Sequence, residues 1–276
     1  MKITVQAIQE KKRRGEKIVM LTSYDFPTAC RENELGVDIQ LVGDSVGVNV
    51  LGYADISQVT VDDMAHHVAA VGRGARNSFV LCDMPFGSFD SPAKALVNAR
   101  HFCDRGADGV KMEGERPVLD NLRALAGEGI PVCAHIGYTP QTHGAHATVQ
   151  GKSVDRAREL IAVADELQNA GACMLVLELI PEILAAEITR RLRIPTIGIG
   201  AGRFCDGQVQ VIYDIAGLTP TVFRHTRVFA DVKPSLSDAI SRYVTAVRGG
   251  AFPEEKNAPR LAPEVLQQLS QWLGSL

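Results

Sequence analysis

The stretch 39-IQLVGD-44 is a short apolar run that ends in a glycine and a carboxylate. Runs of this kind, without alternation of polar and apolar residues, are typical of parallel strands that are buried on both faces. Similar runs recur along the chain and predict strands at residues 18–25, 39–44, 78–84, 109–113, 131–137, 173–179, 195–200 and 208–214.

Amphipathic segments with helix-start signals separate most of these runs. Thr60 and Asp63 form a capping-box pattern, Ser91 and Pro92 begin a second helix, and Ser153 begins a third. Alternating strands and helices predict right-handed βαβ units, and eight strands suffice to close a (β/α)8 TIM barrel. A doubly wound open sheet is the alternative, although the first strand is followed by no GxGxxG phosphate loop.

The whole chain, residues 1–276, is predicted to be a single α/β barrel domain with a helical tail at 234–276. The tail contains helix-like segments at 235–247 and 264–273, joined by the Pro-containing link 252–263. Its amphipathic pattern suggests packing against the barrel or against another subunit.

Composition favours an enzyme acting on small molecules. The chain is 46% hydrophobic and has a formal net charge of -3, which gives no basic field for nucleic acid or an anionic membrane. Six separated cysteines form no CxxC pair, and no apolar run is long enough to span a bilayer. With a charged amino-terminal segment instead of an apolar signal core, these features predict a cytoplasmic protein.

Acidic residues end several of the predicted strands, where TIM-barrel enzymes carry their reactive groups. These residues are Asp44, Asp83, Glu113 and Glu178. Carboxylates that converge in apolar surroundings repel one another, and a cation relieves that repulsion. Oxygen ligands favour magnesium, so Asp44, Asp83 and Glu113 are candidate metal ligands that would stabilise an enolate. The alternative is that each acid caps a helix or pairs with a surface base.

Four residues are candidates for substrate chemistry. Lys111 precedes Glu113 by two residues, so strand alternation points both inward, and Lys111 could form an ion pair, bind a substrate carboxylate or form a Schiff base. Ser45 could bind a substrate carboxylate or simply occupy a turn. His135 could bind a substrate oxygen or a neighbouring carbonyl. Glu178, an acid among apolar residues, is the candidate general base for proton abstraction next to a carbonyl.

With these residues in place, the chain resembles the ketopantoate hydroxymethyltransferase family of the phosphoenolpyruvate mutase/isocitrate lyase barrel superfamily. The order and spacing of several motifs carry the resemblance: 22-TSYD-25, 42-VGDSVG-47, 81-LCDMPF-86, 110-VKMEG-114, 131-PVCAHIGYTPQ-141, 149-VQGK-152, 175-LVLE-178, 195-PTIGIGAG-202 and 206-DGQVQV-211.

The resemblance implies a magnesium-dependent barrel enzyme that transfers a one-carbon unit from 5,10-methylenetetrahydrofolate to 3-methyl-2-oxobutanoate. It implies Asp44, Asp83 and Glu113 as metal-site acids, Ser45 and Lys111 as groups that bind the keto acid, and Glu178 as the proton acceptor. Asp44 and Asp83 would also contact the substrate, as would His135. A homodecamer is the assembly that the resemblance implies.

The chain departs from the family pattern at three places. Tyr138 stands where the family usually has Leu, and the loop 142-THGAHAT-148 differs from the usual Gly-Gly-Tyr-Lys loop. Tyr213 precedes Asp214 where His-Asp is usual, and 223-FRHTR-227 replaces a Lys-rich stretch. The rival activity is 2-oxo-acid lyase or aldolase chemistry, and a barrel that binds ligand without turnover is the non-enzyme alternative.

Overall fold

The computed structural model describes residues 1–144, 147–220 and 223–276, and it contains a closed barrel of eight parallel strands. Each strand pairs with the next one along the chain, and the last pairs with the first, so the TIM-barrel prediction is confirmed and the open sheet is excluded. The strands are β1 (Ile18–Thr22), β2 (Ile39–Val42), β3 (Phe79–Asp83), β4 (Gly109–Glu113), β5 (Val132–Gly137), β6 (Met174–Glu178), β7 (Thr196–Ile199) and β8 (Gly207–Gln210).

Helices surround the barrel and extend beyond it. They are α1 (Val5–Arg14), α2 (Phe26–Glu34), α3 (Val61–Gly74), α4 (Pro92–Cys103), α5 (Leu119–Gly127), α6 (Pro140–His143), α7 (Val154–Asn169), α8 (Glu182–Arg191), α9 (Ile212–Ile215), α10 (Lys233–Arg248) and α11 (Pro263–Leu273). The predicted starts of α3, α4 and α7 are confirmed, because Thr60, Ser91 and Ser153 each accept a hydrogen bond from a backbone amide in the first turn.

Two apolar clusters stabilise this arrangement. One lies between the strands and the surrounding helices, and it contains buried residues of α3, α4, α5, α7 and α8. The other contains inward-facing strand residues such as Met20, Leu81 and Val176, together with Ile8 of α1. The barrel interior is therefore packed with side chains, which leaves the carboxyl ends of the strands as the place for polar chemistry.

The eighth strand is shorter than predicted, because residues 212–214 lie in α9 and not in a strand. The apolar and β-branched residues of 208–214 suggested a longer strand. However, residues 207–210 of β8 pair with residues 18–21 of β1, and β1 itself ends at Thr22. There the amide of Ile212 donates to Oγ1 of Thr22 at 3.0 Å, and the chain turns into a helix.

The outer face of β1 and β8 is open in this chain. Val19 is 50% exposed, and a groove of about 840 Å³ runs from Lys17 past Val19 and Gln208 to His225. The tail helices α10 and α11 contain no buried residue. The tail thus has the predicted helices, and its relation to the barrel domain stays a prediction.

Within the ranges that the structure describes, no helix combines the length and the apolar character needed to cross a membrane.

Candidate active site

The predicted site residues gather at the carboxyl end of the barrel. Asp83, Glu113 and Glu178 are the last residues of β3, β4 and β6, and Asp44 lies two residues beyond the end of β2. Register pairing places Asp83 beside Lys111 on β4. The parallel barrel therefore brings together residues that are far apart in sequence, because all its strands end at the same rim.

The backbone of Asp44 is in direct contact with the side chain of Asp83. The amide of Asp44 donates to Oδ2 of Asp83 at 3.1 Å. Gly43 allows this turn, since a Cβ there would lie 3.0 Å from Oγ of Ser45 and 3.5 Å from Oδ2 of Asp83. Burial, together with the charges of Asp83 and Glu113, raises the pKa of Asp44 to about 8. A positive charge placed beside Asp44 would therefore favour its ionised form.

Lys111 provides the main positive charge among these acids. Its Nζ lies 2.6 Å from Oδ1 of Asp83 and 4.0 Å from Oε1 of Glu113. Burial alone would lower the pKa of Lys111, but the carboxylates of Asp83, Glu113 and Asp44 raise it above its ordinary value. A Schiff base requires a neutral amine, so this environment favours the ion-pair role over the Schiff-base role.

His135 lies between the predicted metal site and the predicted base. Its Nδ1 is 3.3 Å from Oε1 of Glu113, and its Nε2 is 3.2 Å from Oε2 of Glu178. Burial would lower the pKa of His135, but these two carboxylates raise it to about 9. Both ring nitrogens therefore face acids, and the contacts are longer than well-aligned hydrogen bonds.

Glu113 and Glu178 differ in exposure as well as position. The side chain of Glu113 is 3% exposed, whereas that of Glu178 is 16% exposed and is the more accessible of the two. Burial alone would raise the pKa of Glu113, but His135, Lys111 and the backbone amide of Gln141 lower it overall. Glu113 is thus kept ionised, while Glu178 lies where a small molecule can reach it.

Ser45 is half-buried and contacts an aromatic residue that follows β1. Its Oγ lies 2.9 Å from the hydroxyl of Tyr24. Burial raises the pKa of Tyr24 to about 12, so this hydroxyl is neutral at physiological pH. The ring of Tyr24 lies 5.7 Å from that of Tyr213, one of the residues that depart from the family pattern. Tyr24 thereby links Ser45 to the start of α9.

Gln141 in α6 is a site residue that sequence reasoning missed. Its backbone amide donates to Oε2 of Glu113 at 3.0 Å. Its side-chain Nε2 donates to Oδ2 of Asp44 at 2.8 Å and to the carbonyl of Met84 at 2.9 Å. The residue lies in the motif 131–141, but only its contacts distinguish it from an ordinary loop glutamine.

The acids suit a divalent cation by their chemistry, although they form no closed cage. In the described ranges, no three His, Cys, Asp or Glu side chains converge closely enough to hold an ion by themselves. Magnesium usually binds one or two carboxylates and completes its shell with water and substrate oxygens. Buried carboxylate oxygens are therefore suitable donors for part of such a shell.

Comparison with known proteins shows the family of the chain. The family model described as ketopantoate hydroxymethyltransferase matches residues 2–255. The 3-methyl-2-oxobutanoate hydroxymethyltransferase of Roseiflexus sp. is 46% identical over 99% of this chain and 100% of its own length. That of Acetivibrio thermocellus is 43% identical over 98% of this chain and 97% of its own.

Solved structures with a similar fold are more distant in sequence. A 2,3-dimethylmalate lyase, described as a PEP mutase/isocitrate lyase superfamily member, has a TM-score of 0.59 at 15% identity and covers 97% of this chain and 95% of its own. A phosphonopyruvate hydrolase, solved with oxalate and Mg²⁺, has a TM-score of 0.63 at 9% identity and covers 99% of this chain and 97% of its own. These structures support the barrel fold, while the matches over the full length of the chain identify it as a member of the ketopantoate hydroxymethyltransferase family.

Proposed function

We propose that this enzyme transfers a hydroxymethyl group from 5,10-methylenetetrahydrofolate to 3-methyl-2-oxobutanoate and forms ketopantoate (2-dehydropantoate) for pantothenate biosynthesis. The overall reaction consumes one water and releases tetrahydrofolate. Full-length relatives that carry this activity in their names support the assignment. The observation that carries it is the placement of Glu178, an accessible carboxylate, across His135 from the buried acids and Lys111.

The buried acids are proposed to hold a divalent cation, with magnesium as the expected ion. Asp44, Asp83 and Glu113 would supply carboxylate oxygens, with water and the keto acid at the remaining positions. When bound, such a cation polarises the ketone of a 2-oxo acid and stabilises negative charge that develops on its oxygen. The raised pKa of Asp44 is consistent with this role, because it reflects burial first and then the charges of Asp83 and Glu113, which a cation would offset.

Lys111 and Ser45 are proposed to orient the keto acid. The ammonium of Lys111 lies among the acids and can attract a substrate carboxylate or ketone oxygen. The hydroxyl of Ser45 and the rim beside Asp44 offer hydrogen-bond groups at the same end of the barrel. Asp44, Asp83 and His135 remain predicted substrate contacts. Together these groups would hold the substrate with one face toward Glu178.

Glu178 is proposed to remove the proton from C3 of the keto acid. A carboxylate that is 16% exposed can contact the substrate, and His135 Nε2 at 3.2 Å restricts where that carboxylate points. General-base catalysis by a positioned side chain contributes about 10²- to 10⁴-fold to a rate. Water supplies the hydroxyl, since its addition to the methylene carbon breaks one C–N bond of the folate and leaves an N-hydroxymethyl group. The carbanion equivalent at C3 then attacks that carbon as the second C–N bond breaks, which gives the new C–C bond and CH2OH group, and the folate nitrogen takes up a proton to release tetrahydrofolate.

A product assay tests the proposed function. Purified enzyme is incubated with 3-methyl-2-oxobutanoate, 5,10-methylenetetrahydrofolate and Mg²⁺, and ketopantoate is measured by mass spectrometry. We expect ketopantoate and tetrahydrofolate in equal amounts, and no product after treatment with EDTA. Cleavage of a larger 2-oxo acid without any ketopantoate would instead establish lyase chemistry, and the absence of both would favour a barrel that only binds ligand.

The enzyme is also proposed to be a homo-oligomer, with a decamer as the expected size. Exposed apolar residues on α10 support this proposal, since Leu236, Ile240, Tyr243 and Val247 form one stripe and are each 45–60% exposed. The open groove on the outer face of β1 and β8, which is lined by both apolar and charged residues, is a second surface that a neighbouring subunit could cover. Light scattering after gel filtration would measure the mass directly.

A further inference from the structure

Gln141, in the connection that follows β5, bonds to two of the buried acids. Gln141 uses its backbone amide for Glu113 and its side-chain amide for Asp44, at 3.0 and 2.8 Å. These two acids come from different strands, β4 and the end of β2. A residue of the loop therefore connects two carboxylates that, in the ionised form in which they would bind a cation, are both acceptors and cannot hydrogen-bond to each other directly.

The side-chain amide of Gln141 is fixed on both sides. Its Nε2 donates one hydrogen bond to Oδ2 of Asp44 and another to the carbonyl oxygen of Met84, which directly follows Asp83. A primary amide has only two N–H hydrogens, so both are used in this arrangement. The carboxylate of Asp44 is thereby oriented relative to the end of β3, where Asp83 lies.

The segment 138–141 also contacts Glu178, the proposed base. The backbone amide of Tyr138 donates to the carbonyl oxygen of Glu178 at 2.9 Å, three residues before Gln141. Residues 138–141 thus span the distance from the proposed base to the proposed cation ligands. The segment ends where the loop 142–148 begins, which is the part of the chain that departs from the family pattern.

We infer that Gln141 is a positioning residue that preorganises Asp44 and Glu113 for a divalent cation and thereby couples the order of residues 138–144 to cation binding. This inference rests on the proposed function, since it concerns the cation of that reaction. Outer-sphere partners of metal ligands typically change metal affinity by about 10- to 100-fold when they are removed. Coupling is reciprocal, so a segment that strengthens cation binding is itself held more firmly when the cation is present.

The test measures Mn²⁺ binding to the purified, substrate-free enzyme by calorimetry and by electron paramagnetic resonance. The variant Gln141→Met keeps most of the side-chain volume and the backbone donor but lacks the side-chain amide. We expect its Kd for Mn²⁺ to rise about 10-fold. Gln150→Ala is the matched control, because Gln150 lies in the same connection and its side chain bonds only to Thr148 among the described residues; its Kd should be unchanged.

A second measurement separates positioning from a general loss of structure. Hydrogen exchange of residues 138–144 should slow when Mn²⁺ is added to the parent enzyme, and this slowing should be lost in Gln141→Met while the β-strands keep their protection. If Gln141→Met misfolds, Gln141→Asn provides the same comparison, since it is one methylene too short to reach Asp44.

The outcomes distinguish this inference from the proposed function. An unchanged Mn²⁺ affinity in Gln141→Met, with tight binding in the parent and none in Asp83→Asn, would overturn the positioning role and leave the proposed cation site intact. A parent enzyme that binds no Mn²⁺ would overturn both.

Discussion

Lys111 and Asp83 form a salt bridge of 2.6 Å in which the two side chains are only 6% and 4% exposed. Such a pair is stable only while both partners are present, because either charge alone would be buried without compensation. The pair is also surrounded by Asp44 and Glu113, so Lys111 offsets more than one negative charge. Loss of the Lys111 ammonium should therefore affect folding as well as catalysis.

We therefore predict that Lys111→Met lowers the free energy of unfolding of the metal-free enzyme by about 3–5 kcal/mol. Urea denaturation measures the difference. Lys94→Met is the control, since Lys94 pairs with Asp90 at 2.9 Å on an exposed face of α4, and exposed pairs contribute at most about 1 kcal/mol. Equal stability of the parent and Lys111→Met would show that the acids are neutralised in another way.

Glu178→Gln should remove the general base and leave the binding groups in place. We predict that exchange of the C3 proton of 3-methyl-2-oxobutanoate in D₂O, measured by NMR without folate, slows by about 10²- to 10⁴-fold. Mn²⁺ affinity should change little. Glu182→Gln provides a control, because Glu182 accepts a hydrogen bond from the amide of Arg203 outside the site. Exchange at the parent rate in Glu178→Gln would assign the base elsewhere.

Tyr24→Phe removes the hydroxyl that contacts Oγ of Ser45 at 2.9 Å. Loss of one hydrogen bond that orients a binding group is worth about 0.5–1.5 kcal/mol, so we predict that KM for the keto acid rises about 3- to 10-fold with a smaller change in kcat. Steady-state kinetics measures both. Tyr53→Phe, which removes a 3.3 Å contact to Asp63, a residue without a proposed role in the site, should behave like the parent. A fall in kcat alone would contradict a role in binding.

Glu32 provides a prediction about pH. It is a buried residue of α2, and burial raises its pKa from 4.5 to about 8, which the nearby Ser23 hydroxyl opposes only in part. The folded protein therefore holds a proton that the unfolded chain releases between these values. The free energy of unfolding should fall as the pH rises through this window, by up to about 1.4 kcal/mol per pH unit, and level off above it.

Glu32→Gln should remove that slope and make the enzyme more stable than the parent at pH 9. Thermal or urea denaturation from pH 5 to 9 measures how the free energy of unfolding depends on pH. Glu34→Gln on the same helix is the control, because the Glu34 side chain is 58% exposed and pairs with Arg31 at the surface. A slope that is the same in the parent and in Glu32→Gln would assign the pH dependence to other groups.

Ile240→Asp tests the assembly. The substitution puts a charge in the apolar stripe of α10, which is exposed in the single chain, so it should reduce the mass of the particle without unfolding the barrel. Thr245→Asp, on the opposite side of the helix, should leave the mass unchanged. Light scattering distinguishes these results, and an unchanged mass for Ile240→Asp would exclude this stripe from the interface.

The sequence was sufficient for the barrel and for the position of the acids, since both depend on a repeating local pattern. Apolar runs predict parallel strands, and Asp83, Glu113 and Glu178 each end such a run. The predicted end of β8 was wrong, and the reason is physical. Residues 208–214 look like a strand locally, but a barrel strand ends where its neighbour does, and β1 stops at Thr22.

Contacts between distant residues could not be predicted in this way. His135 faces both Glu113 and Glu178, and this depends on the register of β4, β5 and β6, which a single sequence does not specify. Gln141 was missed for the same reason. A glutamine in a turn-rich loop carries no distinctive signal until the fold brings it within hydrogen-bond distance of Asp44.

The distribution of the site along the chain has a consequence for its assembly during synthesis. Every proposed catalytic or ligand residue lies between Asp44 and Glu178, on the segment from the end of β2 to β6, whereas the strands that close the ring, β7 and β8, are translated last. The burial of these acids belongs to the closed barrel. We therefore expect the nascent chain to carry the chemical groups early and to gain their buried environment, with its effect on their pKa values, only when β8 pairs with β1.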